Sequence, residues 1–247
     1  LRELSKGSNL HGVAGYCNLN EKQGITAGFR WFNHPETNVW DKDGNDAGTF
    51  TPKDWSVDVG YARKLTDDLS VGATARFIRS DMSGLDKDDA ANAVAFDLGL
   101  YYRRNFENWE QSQWAVGLQA SNFGTKIDYG YGKYDQASKV AVGGMIDHVF
   151  TDKHRLQGTL DVVCQVLPNT NWGGSVGVEY TLLQIVAIRG GYHYEQDNKL
   201  QRYGTLGCGV GCHHIKADFA YLIPEKDSLL KNTWQVALSF DLGLFKR

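Results

Sequence analysis

Trp55-Ser56-Val57-Asp58-Val59-Gly60-Tyr61-Ala62-Arg63 alternates two kinds of side chain with no break. Trp55, Val57, Val59 and Tyr61 share one face of an extended chain, and Ser56, Asp58, Gly60 and Ala62 share the other. A period of two is the signature of a strand buried on one face only. The next run repeats it, setting Leu69, Val71, Ala73, Ala75 and Phe77 against Ser70, Gly72, Thr74 and Arg76. A third opposes Val94, Phe96, Leu98, Leu100 and Tyr102 to Ala95, Asp97, Gly99 and Tyr101, again with a carboxylate on the face away from the apolar one. Further runs cover about 10–17, 24–33, 114–122, 138–150, 154–166, 173–180, 184–195, 203–212, 215–223 and 232–242, which makes about thirteen strands and no helix.

The connections carry a second, independent signal. The chain reverses at once through 64–68, 151–154, 181–183 and 213–214, whereas 34–54, 79–92, 122–137, 167–172, 196–202 and 224–231 are longer polar segments; only 103–113 is intermediate. Short and long connections alternate, as they do in an up-and-down transmembrane barrel with tight turns at one rim and long loops at the other. Such a single-chain barrel has an even strand number, so about thirteen visible strands predict a total of about fourteen, with one strand upstream of Leu1.

Composition agrees with paired strands and excludes several classes. The 247 residues contain 28 glycines and only 4 prolines, and proline cannot donate to a ladder. Lys+Arg 26 against Asp+Glu 29 gives a net charge of -3, which argues against a nucleic-acid partner. A mean hydropathy of -0.41 and the lack of a long apolar run exclude a membrane-spanning helix but not a barrel, whose strands bury only alternate residues in lipid. No secretory signal is visible at Leu1, Arg2, Glu3 and Lys6, and the opening Leu1 marks a mature or truncated segment. Cys17, Cys164, Cys208 and Cys212 read as small apolar side chains facing lipid or core; a metal cluster of Cys208, Cys212, His213 and His214 is the less favoured alternative.

On the face opposite the apolar one stand Asp58, Arg76, Asp97, Asp161, Glu179, Arg189, Glu195 and Asp218. Inside a barrel these line the lumen, where opposite charges can pair across strands rather than stand isolated. No nucleophile–base arrangement and no repeated acid spacing is visible among them, so the reading is structural and the chain is not expected to be an enzyme or to need a cofactor. Trp31, Trp55, Tyr61, Tyr102, Tyr192, Tyr194 and Trp234 fall near strand ends on the apolar face, where amphipathic rings form girdles at the two membrane interfaces. Asp41, Asp43 and Asn45 begin like a calcium loop, but Asp46 stands where such a loop needs glycine and Pro52 where it needs glutamate, so a solvated loop tip is expected and no metal. Asp86 and Asp88 belong to a second polar loop.

Three stretches then resemble a known family: Phe50–Ser83 (FTPKDWSVDVGYARKLTDDLSVGATARFIRSDMS), Gly173–Tyr194 with Gly-Val-Glu-Tyr at 177–180 and Arg-Gly-Gly-Tyr at 189–192, and Lys231–Phe240. They are similar to the PorV/PorQ-like family of type IX secretion proteins of the Bacteroidetes, which is itself similar to the FadL-type fourteen-strand outer-membrane barrels. The likeness runs from about residue 24 onward, and the family's N-terminal Asn-Pro-Ala-Gly-type segment is not matched, so part of the lumen plug is expected to be missing. The resemblance implies an integral outer-membrane protein, in contact with outer-membrane lipid, whose partners are the large translocon barrel, secreted cargo bearing a C-terminal signal domain, and the surface attachment complex. Its activity is binding, not chemistry. The long loops 34–54, 79–92 and 122–137 are then the expected cargo-holding surface, with Asp41, Asp43, Asn45, Asp46, Asp86, Asp88, Tyr129, Tyr131 and Tyr134 as candidate contacts. The alternative is a FadL-like transporter of hydrophobic small molecules, for which the glycines at 207, 209 and 211 either mark a weak, gapped strand or accommodate a close neighbour. A soluble carbohydrate-binding sandwich is a third class, separated from the others by its independence of detergent.

Overall fold

A computed structural model describes residues 2, 3, 8–40, 43–81, 90–130, 132–197, 202–212, 214–225, 228 and 230–243. The strands are β1 (Arg2–Glu3), β2 (Asn9–Asn20), β3 (Gln23–Asn33), β4 (Thr37–Trp40), β5 (Asp46–Phe50), β6 (Lys53–Lys64), β7 (Leu69–Asp81), β8 (Ala90–Phe106), β9 (Trp109–Gly124), β10 (Ile127–Asp128), β11 (Lys133–Tyr134), β12 (Lys139–Thr151), β13 (His154–Gln165), β14 (Asn171–Leu182), β15 (Val186–Glu195), β16 (Tyr203–Cys212), β17 (Ile215–Pro224) and β18 (Trp234–Phe240). Fourteen of them close an antiparallel barrel in the order β1-β18-β17-β16-β15-β14-β13-β12-β9-β8-β7-β6-β3-β2. The thirteen long staves are the thirteen runs of alternating sequence. The fourteenth position in the ring is held by the two residues of β1, which pair with both Gln235–Trp234 and Leu10–Asn9.

Two differences from the sequence reading have local causes. Residues 103–113 are not a connection: β8 and β9 run on as strands to a tight turn at 107–108, with a register shift at Asn105/Phe106 that masks the alternation. The long connections 34–52 and 125–138 each fold a two-stranded hairpin of their own, β4–β5 and β10–β11, too short to show a period.

The ladders fix which way each side chain points. Along the rows of β6, β7 and β8, Val59 pairs with Ala75 and Ala75 with Phe96; one residue on, Asp58 pairs with Arg76 and Arg76 with Ala95. Many large apolar side chains of the first kind are exposed, among them Val59, Leu98, Leu160, Ile188, Leu206 and Leu238. The buried hydrophobic side chains, by contrast, are mostly alanines. A water-soluble barrel of this size would be built the other way round. Between the aromatic positions near the two strand ends, the described outward rows carry no charged side chain; Val13, Phe29, Val57, Val71, Leu98, Val116, Val142, Leu160, Val176, Ile188, Val210, Phe219 and Leu238 stand there instead. Trp172 and Tyr180 bracket that band on β14, about 27 Å apart along the strand at ~3.4 Å per residue and about 20 Å apart along the barrel axis at a ~40° tilt, close to the apolar height of an outer-membrane barrel.

Candidate functional site

Two regions concentrate polar chemistry: the barrel interior and the rim bearing the long connections. Inside, Asp58 on β6 accepts from Arg30 on β3 at 3.0 Å and from Arg76 on β7. Arg76 also reaches Asp97 on β8 at 2.9 Å and the side-chain oxygen of Asn122 on β9. Asn122 interrupts β9. Its φ of 59° and the register shift between Phe96 and Leu98 mark a bulge, which turns its backbone N–H onto Asp97 at 2.7 Å. A left-handed backbone at a non-glycine residue costs about 1 kcal/mol or more, and asparagine is among the side chains that tolerate it best. Here the bulge places one residue between the charge cluster and the loop that follows: Asn122 donates to the Ala137 carbonyl at 3.2 Å, and its own carbonyl accepts from Ser138 at 2.7 Å.

Three further interior clusters follow the same rule. Arg189 on β15 pairs with Glu179 on β14 and, at 2.5 Å, with Asp218 on β17. That second pair spans β16, and Gly209 makes the room, since a Cβ there would meet both Asp218 and the Arg189 guanidinium. The glycine run at 207, 209 and 211 is thus not a gap: β16 is paired along both neighbours, from His193–Tyr203 to Val186–Val210 on one side and from Tyr203–Pro224 to Cys212–Ile215 on the other. Asp147 on β12, 2 % exposed, takes two bonds from Arg155 at 2.6 and 2.5 Å and one from Gln113 at 3.0 Å. At the other rim Glu195 accepts from Asn171 at 2.7 Å and lies 3.1 Å from His193. Asp147, Arg155, Glu179, Arg189 and Asp218 line one cavity of about 520 Å³ that touches strands from β9 round to β17, which places them all inside the ring.

Seven of the eight expected interior charges are therefore brought together with partners. Asp161 has none among the described residues; it lines a separate cavity of about 630 Å³ with Asp97, Thr26, Thr74 and Thr159. Sequence reasoning missed Arg30, Asn122, Asp147, Arg155 and His193. Each lies on the interior rows, but only the register shows whom it faces.

At the long-loop rim the candidate contacts separate. Asp43 and Asn45 are exposed near the tip of the β4–β5 hairpin, and Asp46 accepts from the Gly48 N–H at 2.9 Å, an ordinary turn bond. Trp40, on the same hairpin, is 61 % exposed. Asp41, Asp86, Asp88 and Tyr131 lie outside the described residues, as does His213. The loop at 122–137 is anchored into the mouth at its base, while Lys126, Asp128, Lys133 and Tyr134 stay exposed. Gln136, 8 % exposed, donates to the carbonyls of Val94 and Thr125, and Ser138 is buried. The Tyr129 hydroxyl sits 2.8 Å from Ser80, which donates to Asp54, whose other oxygen lies 2.7 Å from His34. Tyr134 remains half exposed and packs edge-on against Tyr129. Beside this segment Leu10, Phe32, Ile78 and Ile127 line an open cavity of about 400 Å³ with Arg30, Asp54, Arg76 and Asp135 on its wall. In the β10–β11 hairpin the Gly130 N–H, donating to Asp128, and the Lys133 ammonium 3.2 Å away hold the Asp128 carboxyl below the ordinary carboxylate range. Among the described residues no group of three or more His, Cys, Asp or Glu side chains is arranged to hold a metal, and Cys208 and Cys212 lie on the outward rows of β16.

Comparison with known families matches residues 1–171 to the family described as type IX secretion system protein PorV. The chain belongs to the PorV family. The match takes in every stave from β2 to β13 together with both rim hairpins, so it covers the interior Asp58–Arg76–Asp97 cluster and the loop anchored at the mouth. This PorV-family chain is thus an outer-membrane β-barrel of the type IX secretion system, and its partners lie in that system; the family is a secretion family, not an enzyme family. No curated protein sequence matches it. Among solved structures it is similar to the TodX ΔS2S3 mutant monoaromatic hydrocarbon channel, with a TM-score of 0.56 and 11 % identity over 93 % of this chain and 81 % of that one, a likeness of fold alone. The Ralstonia pickettii toluene transporter TbuX (TM-score 0.48, 14 % identity, 89 % of this chain and 81 % of that one) and a Pseudomonas aeruginosa FadL homologue (0.45, 12 %, 92 % and 74 %) also match.

Proposed function

We propose that this barrel receives secreted cargo through the cargo's C-terminal signal domain at the long-loop rim, takes it from the large translocon barrel and passes it to the surface attachment complex. The observation that carries the reading is the family match, joined to a rim that gathers every long connection at one end. The β4–β5 hairpin suits the task. It is a two-stranded sheet whose outer edges pair with no other described strand, so an incoming β-domain can add to it by main-chain bonds, with Trp40 as an aromatic anchor beside the edge. The 125–138 segment, anchored at its base and exposing Tyr134, adds a second surface to that rim. Replacing residues 38–49 by a short Gly-Ser linker should spare membrane insertion and abolish cargo co-purification. Unchanged co-purification would defeat the hairpin assignment.

A second reading, passage of hydrophobic small molecules, is favoured by one observation, the cavity in which Leu10, Phe32, Ile78 and Ile127 form an apolar part of a wall shared with Arg30, Asp54, Arg76 and Asp135. A deletion strain separates the two: loss of secreted proteins supports the first, loss of growth on long-chain substrates the second.

A further inference from the structure

The outer wall is not uniform. Across β9, β12, β13 and β14 it carries a groove of about 650 Å³ floored by Gly144 and Gly158 and flanked by Phe106, Trp114, Val176 and Val178. The ladders show how it forms. Trp114, Ile146, Gly158 and Val178 make one outward row, and Val116, Gly144, Leu160 and Val176 the next toward the long-loop rim, so the two glycines sit diagonally and open a slot between larger neighbours. The slot lies in the uncharged band and ends near the short-turn rim.

Directly across the ladder from Trp114 stands Arg104, on an outward row of β8 close to the turn. It is exposed, and no hydrogen bond or ion pair reaches it from any described residue, Glu107 in the adjoining turn included. Beside it Phe106, Trp109, His148 and Phe150 form a run of tilted and edge-on ring contacts, with centroids 5.3, 4.7 and 4.4 Å apart, and His148 bonds Ser112 at 2.9 Å. An apolar slot within the bilayer, a guanidinium near its mouth with no partner among the described residues, and the Trp109 and His148 rings at headgroup depth are complementary to one kind of molecule. We propose that this groove is a binding site for an anionic phospholipid of the periplasmic-facing leaflet, one acyl chain lying over Gly144 and Gly158 and the phosphate paired with Arg104.

The glycines make a clean test, because a Cβ at Gly158 would meet no atom within 4 Å, so a side chain there fills the groove without straining the barrel. The tagged protein is extracted from outer membranes in mild detergent, and the retained phospholipid is weighed by native mass spectrometry and typed by headgroup. Wild type should keep bound phospholipid; Gly158→Leu should lower retention by about tenfold, and Arg104→Gln should remove an anionic preference of about fivefold, the order expected for one basic side chain at the interface. Heat-modifiable gel migration reports whether each variant still forms the barrel. Equal retention in all three folded proteins overturns the proposal, as does a Gly158→Leu variant that keeps its lipid and loses a co-purifying protein instead.

Discussion

Arg76 is the single cation between two carboxylates, and its removal measures what the interior charge network contributes. Truncating one partner of a fully buried pair costs about 3–5 kcal/mol, because the other charge is left desolvated and alone. The Arg76, Asp58 and Asp97 side chains are 15 %, 18 % and 13 % exposed, so the full figure does not apply. Compensation remains after truncation: Asp58 keeps Arg30 at 3.0 Å, and Asp97 keeps the Asn122 N–H at 2.7 Å. Arg76→Met should therefore destabilise the barrel by about 2–3 kcal/mol, read as a shift in the urea midpoint of the protein folded into vesicles. Adding Asp58→Asn and Asp97→Asn to Arg76→Met should recover most of that loss, since the uncompensated charges go with their partner. A single-variant cost below about 0.5 kcal/mol, or a triple variant weaker than the single, would refute the pairing argument.

Other consequences follow from the faces and the rim. Val176→Arg, in the middle of the outward band, should cost about 2–4 kcal/mol by the same unfolding assay, and Tyr180→Arg, at its edge, about 0–1 kcal/mol. Asn122→Ala removes the bonds to Arg76 and Ala137 and keeps the strained backbone, so residues 125–138 should become open to protease while the staves stay protected. The Asp128 carboxyl is held below its ordinary value of 3.8, so its contribution to the β10–β11 hairpin is fully present above that pH and is lost as pH falls through the lower folded value. Protection of the Gly130 amide against hydrogen exchange, taken relative to the intrinsic rate at each pH, should fall in that acid window, and Asp128→Asn should remove the dependence.

The staves were legible because a lipid-facing wall imposes a period of two on every strand, and Val57-Asp58-Val59 states it in three residues. The rim hairpins were not, since four or five residues such as Thr37–Trp40 carry no period. The interior charges were legible one by one and illegible as pairs. Asp58 reads inward from its own strand, but that it meets Arg30 depends on the β3–β6 register, and that Arg189 reaches Asp218 depends on the empty Cβ position of Gly209 between them. Asn122 was hidden for a different reason: a left-handed bulge residue inside an otherwise regular strand has no local signal when it is not glycine. The same bulge ties down the base of the following loop, which is why Gln136 and Ser138 are buried in a segment that reads as a solvated connection.

Membership in a secretion assembly through a cargo-holding rim is open to affinity purification of the tagged full-length protein from detergent-solubilised outer membranes. A large translocon barrel and secreted proteins that share a C-terminal domain should co-purify with it. A lone barrel carrying only lipid or fatty acid would contradict that membership.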